Sequence, residues 1–536
     1  MTEWWRGAVL YQIYPRSFRD ANGDGVGDLA GIAETLDYVA ALGVDGIWLS
    51  PFYPSPMKDF GYDIADYCDV DPLFGTLEDF DRLMARAHAL GLKVIVDQVY
   101  SHTSDRHPWF AESRASRDNG KADWYVWADP KPDGTPPNNW LSVFGGVAWA
   151  WEPRRRQYHL HNFLAEQPDL NLHNPAVQDA ILEVARFWLD LGVDGFRLDA
   201  ANFYMHDRGL RDNPPSGATD AIKPYDFQRH LHNATQPDNL AFIARLRGVM
   251  DRYPDIMTVA EVAADDPIPR VAEYTDGADR FHTAYSFVLL GDRFGAGFIR
   301  RTMEEMAERA PAAWPSWAFS NHDVMRVASR WGGQRPSASF VKLLIAVLVS
   351  LRGTIFLYQG EELGLPQADV PYDRLRDPEG IAFWPDCKGR DGCRTPIPWV
   401  GDAPGAGFSS DAAAAEPWLP VDPAHRPLAV DRQESDPSSP LRFTRRLLAW
   451  RRRHPALSTG GMRFLDAPEP VLAFLREPVG GGAAILCVFN LGETAVDFES
   501  PLAGEPVAAE FDGLPGEITG GAVRLPGHGG VFARVS

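Results

Sequence analysis

Three segments of the chain run through apolar and β-branched residues into an acid: GVDGFRLDA carries Asp199, IMTVAEV carries Glu261 and WAFSNHD carries Asp323. Their even spacing suggests successive strands delivering carboxylates to one rim of a barrel. In a (β/α)8 barrel the C-terminal rim is where catalytic groups stand. Paired carboxylates are the equipment for breaking a glycosidic bond. One serves as nucleophile and the other as proton donor, about 5–5.5 Å apart in the retaining reaction.

Such carboxylates need strands to carry them, and eight candidates recur along the chain: residues 8–15, 43–51, 91–100, 192–200, 255–262, 280–287, 316–323 and 353–362. Near-continuous apolar runs mark strands buried on both faces. Helical patterns alternate with them. LEDFDRLMARAHALG (77–91) has helical apolar spacing and a glycine stop, and NPAVQDAILEVARFWLDLG (174–192) has proline in its first turn. Eight strand-helix units imply a closed parallel barrel, α/β in class, the (β/α)8 TIM barrel. Two insertions break the rhythm. Residues 103–172, rich in Trp, Pro and Asn, are too long for a simple loop and read as a small domain over the barrel mouth. Residues 363–435 read as a long loop region on the same rim. A helix over 440–457 closes the barrel, and Gly/Pro-punctuated β-like runs from 458 read as a C-terminal antiparallel β domain. The expected division is therefore 1–102 and 173–457 for the barrel, 103–172 for the inserted domain and 458–536 for the β domain.

Composition narrows the function. At 536 residues and 45% hydrophobic the chain can bury a large core, and its 17 Trp and 29 Phe suit either that core or sugar stacking. A net charge of −21 argues against nucleic acid or an anionic membrane as partner and suits a neutral small substrate. The four cysteines, Cys68, Cys387, Cys393 and Cys487, make no disulfide framework and fit a reducing compartment. Cys387 and Cys393 are close enough in sequence to pair, although free thiols in a long loop are the simpler reading. No secretion signal and no membrane span is read from the sequence, so the expected location is the cytoplasm.

Together the segments DQVYSHTSD (97–105), GFRLDA (195–200), AEV (260–262) and SNHD (320–323), with GYDIADY (61–67) and KGRDGCRTPIPW (388–399), resemble an α-glucosidase of glycoside hydrolase family 13, the α-amylase superfamily. The resemblance covers essentially the whole chain: barrel, an inserted domain B after strand three, and the C-terminal β domain. It implies that Asp199 is the nucleophile, Glu261 the general acid/base and Asp323 the third carboxylate, which grips sugar hydroxyls. Arg197 shares the strand face of Asp199, because side chains alternate, and is expected to hold it ionised. By the same resemblance Asp63, His102, His322 and Arg390 bind hydroxyls of the non-reducing glucose, with Arg394 able to replace Arg390. Tyr62 stacks on the sugar face. Phe144, Phe163 and Gln167 line the next subsite or simply pack domain B.

The sequence departs from the family where Ser101 replaces the asparagine that, in amylases, helps bind calcium. A different metal site is suggested by DANGDGVGD, which sets Asp20, Asn22, Asp24 and Asp28 at alternating positions around Gly25. That is the oxygen-rich spacing of an EF-hand-like loop, with Gly31 where its last glutamate would stand. With the Val26 carbonyl these side chains would hold a structural Ca²⁺ or Mg²⁺; the plain alternative is a turn without metal.

Substrate choice rests on thinner ground. Ala200, after the nucleophile, accompanies α-1,4 or sucrose-type preference in related α-glucosidases. A short domain B and a long eighth loop suggest a pocket closed at one end. The expected reaction is exo-acting release of glucose from maltose-like substrates, with sucrose as the other candidate. Transglucosylation to an alcohol or sugar acceptor is the first alternative. A non-catalytic carbohydrate-binding or transporter-associated protein is the second, disfavoured because all three acids are present.

Overall fold

The computed structural model describes residues 3–410, 415–499, 502, 507–519 and 521–535. Eight buried strands form its centre: β1 (Val9–Ile13), β2 (Gly46–Leu49), β3 (Lys93–Val99), β4 (Gly195–Asp199), β5 (Met257–Val262), β6 (Thr283–Ser286), β7 (Ser316–Ala318) and β8 (Thr354–Tyr358). They are parallel, in the order β7-β8-β1-β2-β3-β4-β5-β6. Thr283 Oγ1 and Ser316 Oγ meet at 2.6 Å between β6 and β7, joining the two ends of the sheet. Each lies within one of the eight predicted segments. Register then places the chemistry: Asp97 of β3 sits opposite Arg197 of β4, and Glu261 of β5 opposite Tyr285 of β6. Opposed residues share a face, here the barrel interior.

Local rules account for the helices. Leu77–Ala89 starts from a capping box in which Thr76 and Asp79 satisfy each other's backbone N–H groups. Pro175–Asp190 starts from Asn174, with proline where no N–H is needed. The helix predicted over 440–457 is two pieces, Pro440–Arg452 and Pro455–Thr459. The break falls before Pro455, which cannot continue the preceding helix.

The insertion after β3 carries a three-stranded antiparallel sheet, Trp127–Ala128, Gln157–Leu160 and Trp149–Glu152. A further insertion, not anticipated, separates β4 from its helix Asn239–Met250: residues 204–238, irregular but for the short 3-10 helix Pro224–Phe227, contact the inserted segment after β3. Asn139 and Asn213 exchange hydrogen bonds there, and Trp140 Nε1 donates to Arg211 O at 2.8 Å. The C-terminal part has a five-stranded and a three-stranded antiparallel sheet. All four cysteines are free thiols. Among the described residues no helix is long and apolar enough to cross a membrane.

Candidate active site

The carboxylates Asp199, Glu261 and Asp323 line one cavity of 890 Å³ at the C-terminal rim of the barrel. Beneath it lies Arg197, wholly buried. Its Nη1 is 2.5 Å from Asp199 Oδ1 and 2.9 Å from Asp97 Oδ1, and its Nη2 is 2.6 Å from Glu261 Oε1. One guanidinium therefore holds Asp199 on one arm and Glu261 on the other, the planar fork fixing both. Tyr285 Oη accepts from Arg197 Nη2 at 3.0 Å and faces Glu261 Oε1 at 3.3 Å. Asp97 is gripped further by Tyr62 Oη at 3.0 Å and Trp48 Nε1 at 3.2 Å. Ala200 adopts a left-handed backbone (φ 41°), and its N–H donates to Glu261 Oε2 at 3.1 Å.

Three buried carboxylates thus share one cation. Burial pushes Asp199 and Glu261 both up to about 7, against the pull of Arg197; the repulsion of Asp97 on Asp199, and of Asp199 on Glu261, adds to the rise. The raised proton affinity favours keeping a proton within the pair, and one proton between them is the state in which one carboxylate attacks and one carboxylic acid donates. Glu261 is the partner suited to keep it, since Asp199 accepts a hydrogen bond from Arg197 Nη1 whereas Glu261 stands only at ion-pair distance from Nη2. Asp323 has the opposite surroundings. Arg394 (Nη2 at 2.8 Å) and Arg390 (Nη1 at 3.3 Å) hold its carboxyl below the usual range despite burial.

His322 is stacked between Tyr62 (5.2 Å, 6°) and Tyr14 (5.6 Å, 20°). Gln12 Nε2 lies 2.8 Å from its Nδ1. If the amide donates there, the proton of the ring, kept neutral by burial, sits on Nε2. That buried Nε2 lies 3.1 Å from Asp323 Oδ2 without making a well-aligned hydrogen bond. The ring does not line the cavity; it stands buried behind Tyr62 and Asp323, which do.

The structure brings Arg390 into the cavity wall and leaves Arg394 behind it. Arg390 Nη2 binds Asp59 Oδ1 and Asp377 Oδ1, each at 2.7 Å. Asp63 is not at the cavity: its oxygens accept from the Lys58 and Asp59 N–H groups and from Ser55 Oγ. The carboxylate that faces the cavity from this turn is Asp59, four residues earlier, which the sequence reading missed. Gln167 stands just behind, its Nε2 3.1 Å from both Asp59 Oδ2 and His102 Nε2. His102, held at Nδ1 by Ser101 Oγ (2.9 Å), lines the cavity with Tyr62, Ala200, Phe144 and Phe163. Phe163 packs on His102 at 5.1 Å, and Arg390 lies over the Phe144 ring at 4.8 Å. The unanticipated loop adds Lys223, Tyr225 and His230 to the wall. Loops carry no periodicity by which these could have been found.

In the DANGDGVGD loop, Asp20 accepts from Gly23 N (2.6 Å) and Gly25 N (2.9 Å), and Asp24 from Val26 N (2.8 Å). Asp28 accepts from Ala21 N (3.0 Å) and caps the next helix through Gly31 N (2.6 Å). Gly31 leaves no room for a glutamate, since a Cβ there would stand 2.3 Å from Arg19 O. Asp20, Asp24 and Asp28 have no ion-pair partner among the described residues. Oxygen-only, anionic donors fit a hard divalent cation. As placed, the carboxylates are spent on the loop's own amides, and no three His, Cys, Asp or Glu side chains among the described residues form a metal-holding group.

Comparison with known proteins agrees with this geometry. Residues 12–460 match the family Alpha amylase, catalytic domain. The chain is 54% identical to a probable alpha-glucosidase of Rhizobium meliloti (100% of this chain, 97% of that one). It is 38% identical to an oligo-1,6-glucosidase of Heyndrickxia coagulans (94% of each). Among solved structures it resembles the alpha-glucosyl transfer enzyme XgtA (54% identity, TM-score 0.96) and the trehalulose synthase MutB from Pseudomonas mesoacidophila MX-45 (34%, 0.89), each over 100% of both chains. A MutB mutant has been solved with the substrate sucrose. With its barrel, inserted sheet and three rim carboxylates, the chain belongs to the α-amylase family, glycoside hydrolase family 13, as a hydrolase of the α-glucosidase type.

Proposed function

We propose that this enzyme is a retaining, exo-acting α-glucosidase that removes terminal α-glucose from short substrates, maltose-like or sucrose, through a β-glucosyl-enzyme. The observation that carries the reading is the single guanidinium of Arg197 holding Asp199 and Glu261 on its two arms beneath one cavity. Asp199 attacks the anomeric carbon while Glu261 protonates the departing oxygen. Glu261, now ionised, takes a proton from water as the water displaces Asp199. Asp323, Arg390, His102 and Asp59 hold the glucose hydroxyls, His322 backs Asp323, and Tyr62 faces the ring. Phe144 and Phe163, with Ala200, bound the neighbouring subsite. Gln167 orients Asp59 and His102.

A second reading, glucosyl transfer to an alcohol or sugar acceptor, is favoured by the likeness to XgtA and by the apolar wall of Val143, Phe144, Phe163, Phe203 and Leu231, which disfavours water. The sucrose bound to MutB makes sucrose a candidate donor. Glucose release from maltose, isomaltose and sucrose, followed by NMR for wild type and Asp199→Asn, tests both. α-Glucose from wild type and none from the variant supports the hydrolase. New glucosides in place of glucose support transfer, and no cleavage of any of the three refutes both for these substrates.

We further propose that Asp20, Asn22, Asp24, Asp28 and the Val26 carbonyl hold Ca²⁺, or Mg²⁺, in a structural role. The free thiols fit a reducing compartment, the cytoplasm.

A further inference from the structure

Two long loops that share neither sheet nor helix meet over the cavity through one ion pair. Lys223, in the loop after β4, puts its Nζ 2.6 Å from Oε1 of Glu379, in the loop after β8. Both side chains belong to the cavity wall, and they are only 28% and 11% exposed. The ion pairs of Arg197 and Arg390 hold carboxylates around the reacting sugar. This one spans from one loop to the other.

Both partners are firmly mounted. The Lys223 loop is pinned to itself by a bridge between Pro215 and Gln228, and to the inserted domain by Gln228 Nε2 donating to Asn139 O at 2.7 Å. Glu379 lies in the short helix Pro378–Ala382, two residues after Asp377, whose carboxylate grips Arg390. A latch closed here is thus tied, through Asp377 and Arg390, to the groups that hold Asp323.

We propose that the Lys223–Glu379 pair is a latch over the acceptor side of the cavity, restricting the leaving part of the substrate to a single sugar ring. The inference rests on the α-glucosidase reading and specifies what limits its substrates. A maltose-sized substrate fits with the pair intact. Each longer oligosaccharide must part the two loops and lose the ion pair, which two half-buried charges make modest but measurable.

The test is the ratio of kcat/KM for maltotetraose to that for maltose, with p-nitrophenyl α-glucoside as a measure of the chemistry alone. Lys223→Met, which keeps the aliphatic stem, and Lys223→Glu are expected to raise the ratio about fivefold or more. The exchanged pair Lys223→Glu with Glu379→Lys is expected to restore the wild-type ratio. A ratio in Lys223→Met within about twofold of wild type, with the aryl glucoside still cleaved, overturns the latch. So does an exchanged pair as permissive as the single Lys223→Glu variant. If wild type cleaves neither maltose nor the aryl glucoside, the α-glucosidase reading falls instead.

Discussion

In the proposed mechanism Asp199 and Glu261 do different work from nearly equal surroundings, and the difference can be measured at the leaving group. Glu261 is needed as an acid only when the departing oxygen needs a proton. Glu261→Gln should therefore lower kcat/KM on maltose by about 10²–10⁴, and much less on p-nitrophenyl α-glucoside, whose phenolate leaves unaided. Equal losses on both substrates would remove Glu261 from the acid role. The same residue links activity to stability. Burial raises its carboxyl from its ordinary value of 4.5 to about 7, so the folded chain binds a proton there that the unfolded chain has released. Its contribution to stability is fullest below the unfolded value and is lost as pH rises from about 4 through 7. A glutamine at 261 cannot ionise. Glu261→Gln is therefore expected to stabilise the protein at pH 8, by about 2 kcal/mol, and to change it little at pH 4.5. Thermal melts at the two pH values decide this; a shift of the same size at both would mean that ionisation is not the cause. Asp199→Asn belongs to the same scheme and should lower turnover by about 10⁴ or more, since an amide cannot form the glycosyl ester of the proposed double displacement.

Strands and loops were not equally legible in the sequence. The eight strands could be found because burial on both faces writes a continuous apolar run, and because an acid stands at or close to the end of three of them. The turn over 59–63 shows the limit. Asp59 and Asp63 are both acids in one turn, and the bends at Phe60 (φ 49°) and Gly61 (φ 111°) decide that Asp59 faces the cavity while Asp63 accepts backbone N–H groups. No residue pattern encodes that choice. The 204–238 loop escaped notice for a related reason. Its order comes from long-range amide contacts, such as Asn233 Nδ2 to Asn162 Oδ1 at 2.8 Å, rather than from a period. The DANGDGVGD loop is the reverse case, conspicuous in sequence and ambiguous in geometry. If it binds Ca²⁺, chelation should lower the melting temperature of wild type, and added Ca²⁺ should restore it. Asp24→Ala, at an exposed position that accepts from Val26 N and Asn22 Nδ2, should melt lower at the outset and no longer respond to chelator. Identical melting of wild type with and without chelator would reduce the loop to an Asp/Gly turn.

The barrel and the C-terminal sheets are joined at Arg476, whose role depends on the whole molecule. It is fully buried, on a strand of the five-stranded sheet, with no carboxylate partner among the described residues. Its guanidinium instead donates to five carbonyls. Nη1 reaches Ser350 O, Leu351 O and Leu457 O at 2.7, 3.0 and 2.9 Å, Nη2 reaches Gly460 O at 3.0 Å, and Nε reaches Gly461 O at 3.1 Å. Ser350 ends the buried helix Ala338–Ser350, so the cation sits at the negative end of a helix dipole and satisfies carbonyls the helix leaves open. Burial nevertheless pulls the guanidinium down to about 9, which shows how much of the charge's solvation has been given up for these contacts. Arg476→Met fills similar volume but strands the carbonyls without water. The expected cost is about 3–5 kcal/mol, the range for breaking a buried charged network from one side. The site carboxylates lie at the C-terminal ends of their strands, whereas Ser350 precedes β8, so the loss should be separate from catalysis. At a temperature where the variant remains folded, its kcat on maltose should match wild type while denaturant unfolding shifts strongly to lower concentration. A variant that loses kcat in step with stability would mean that the C-terminal sheets help shape the cavity, and unaltered unfolding would mean that the carbonyls find other donors.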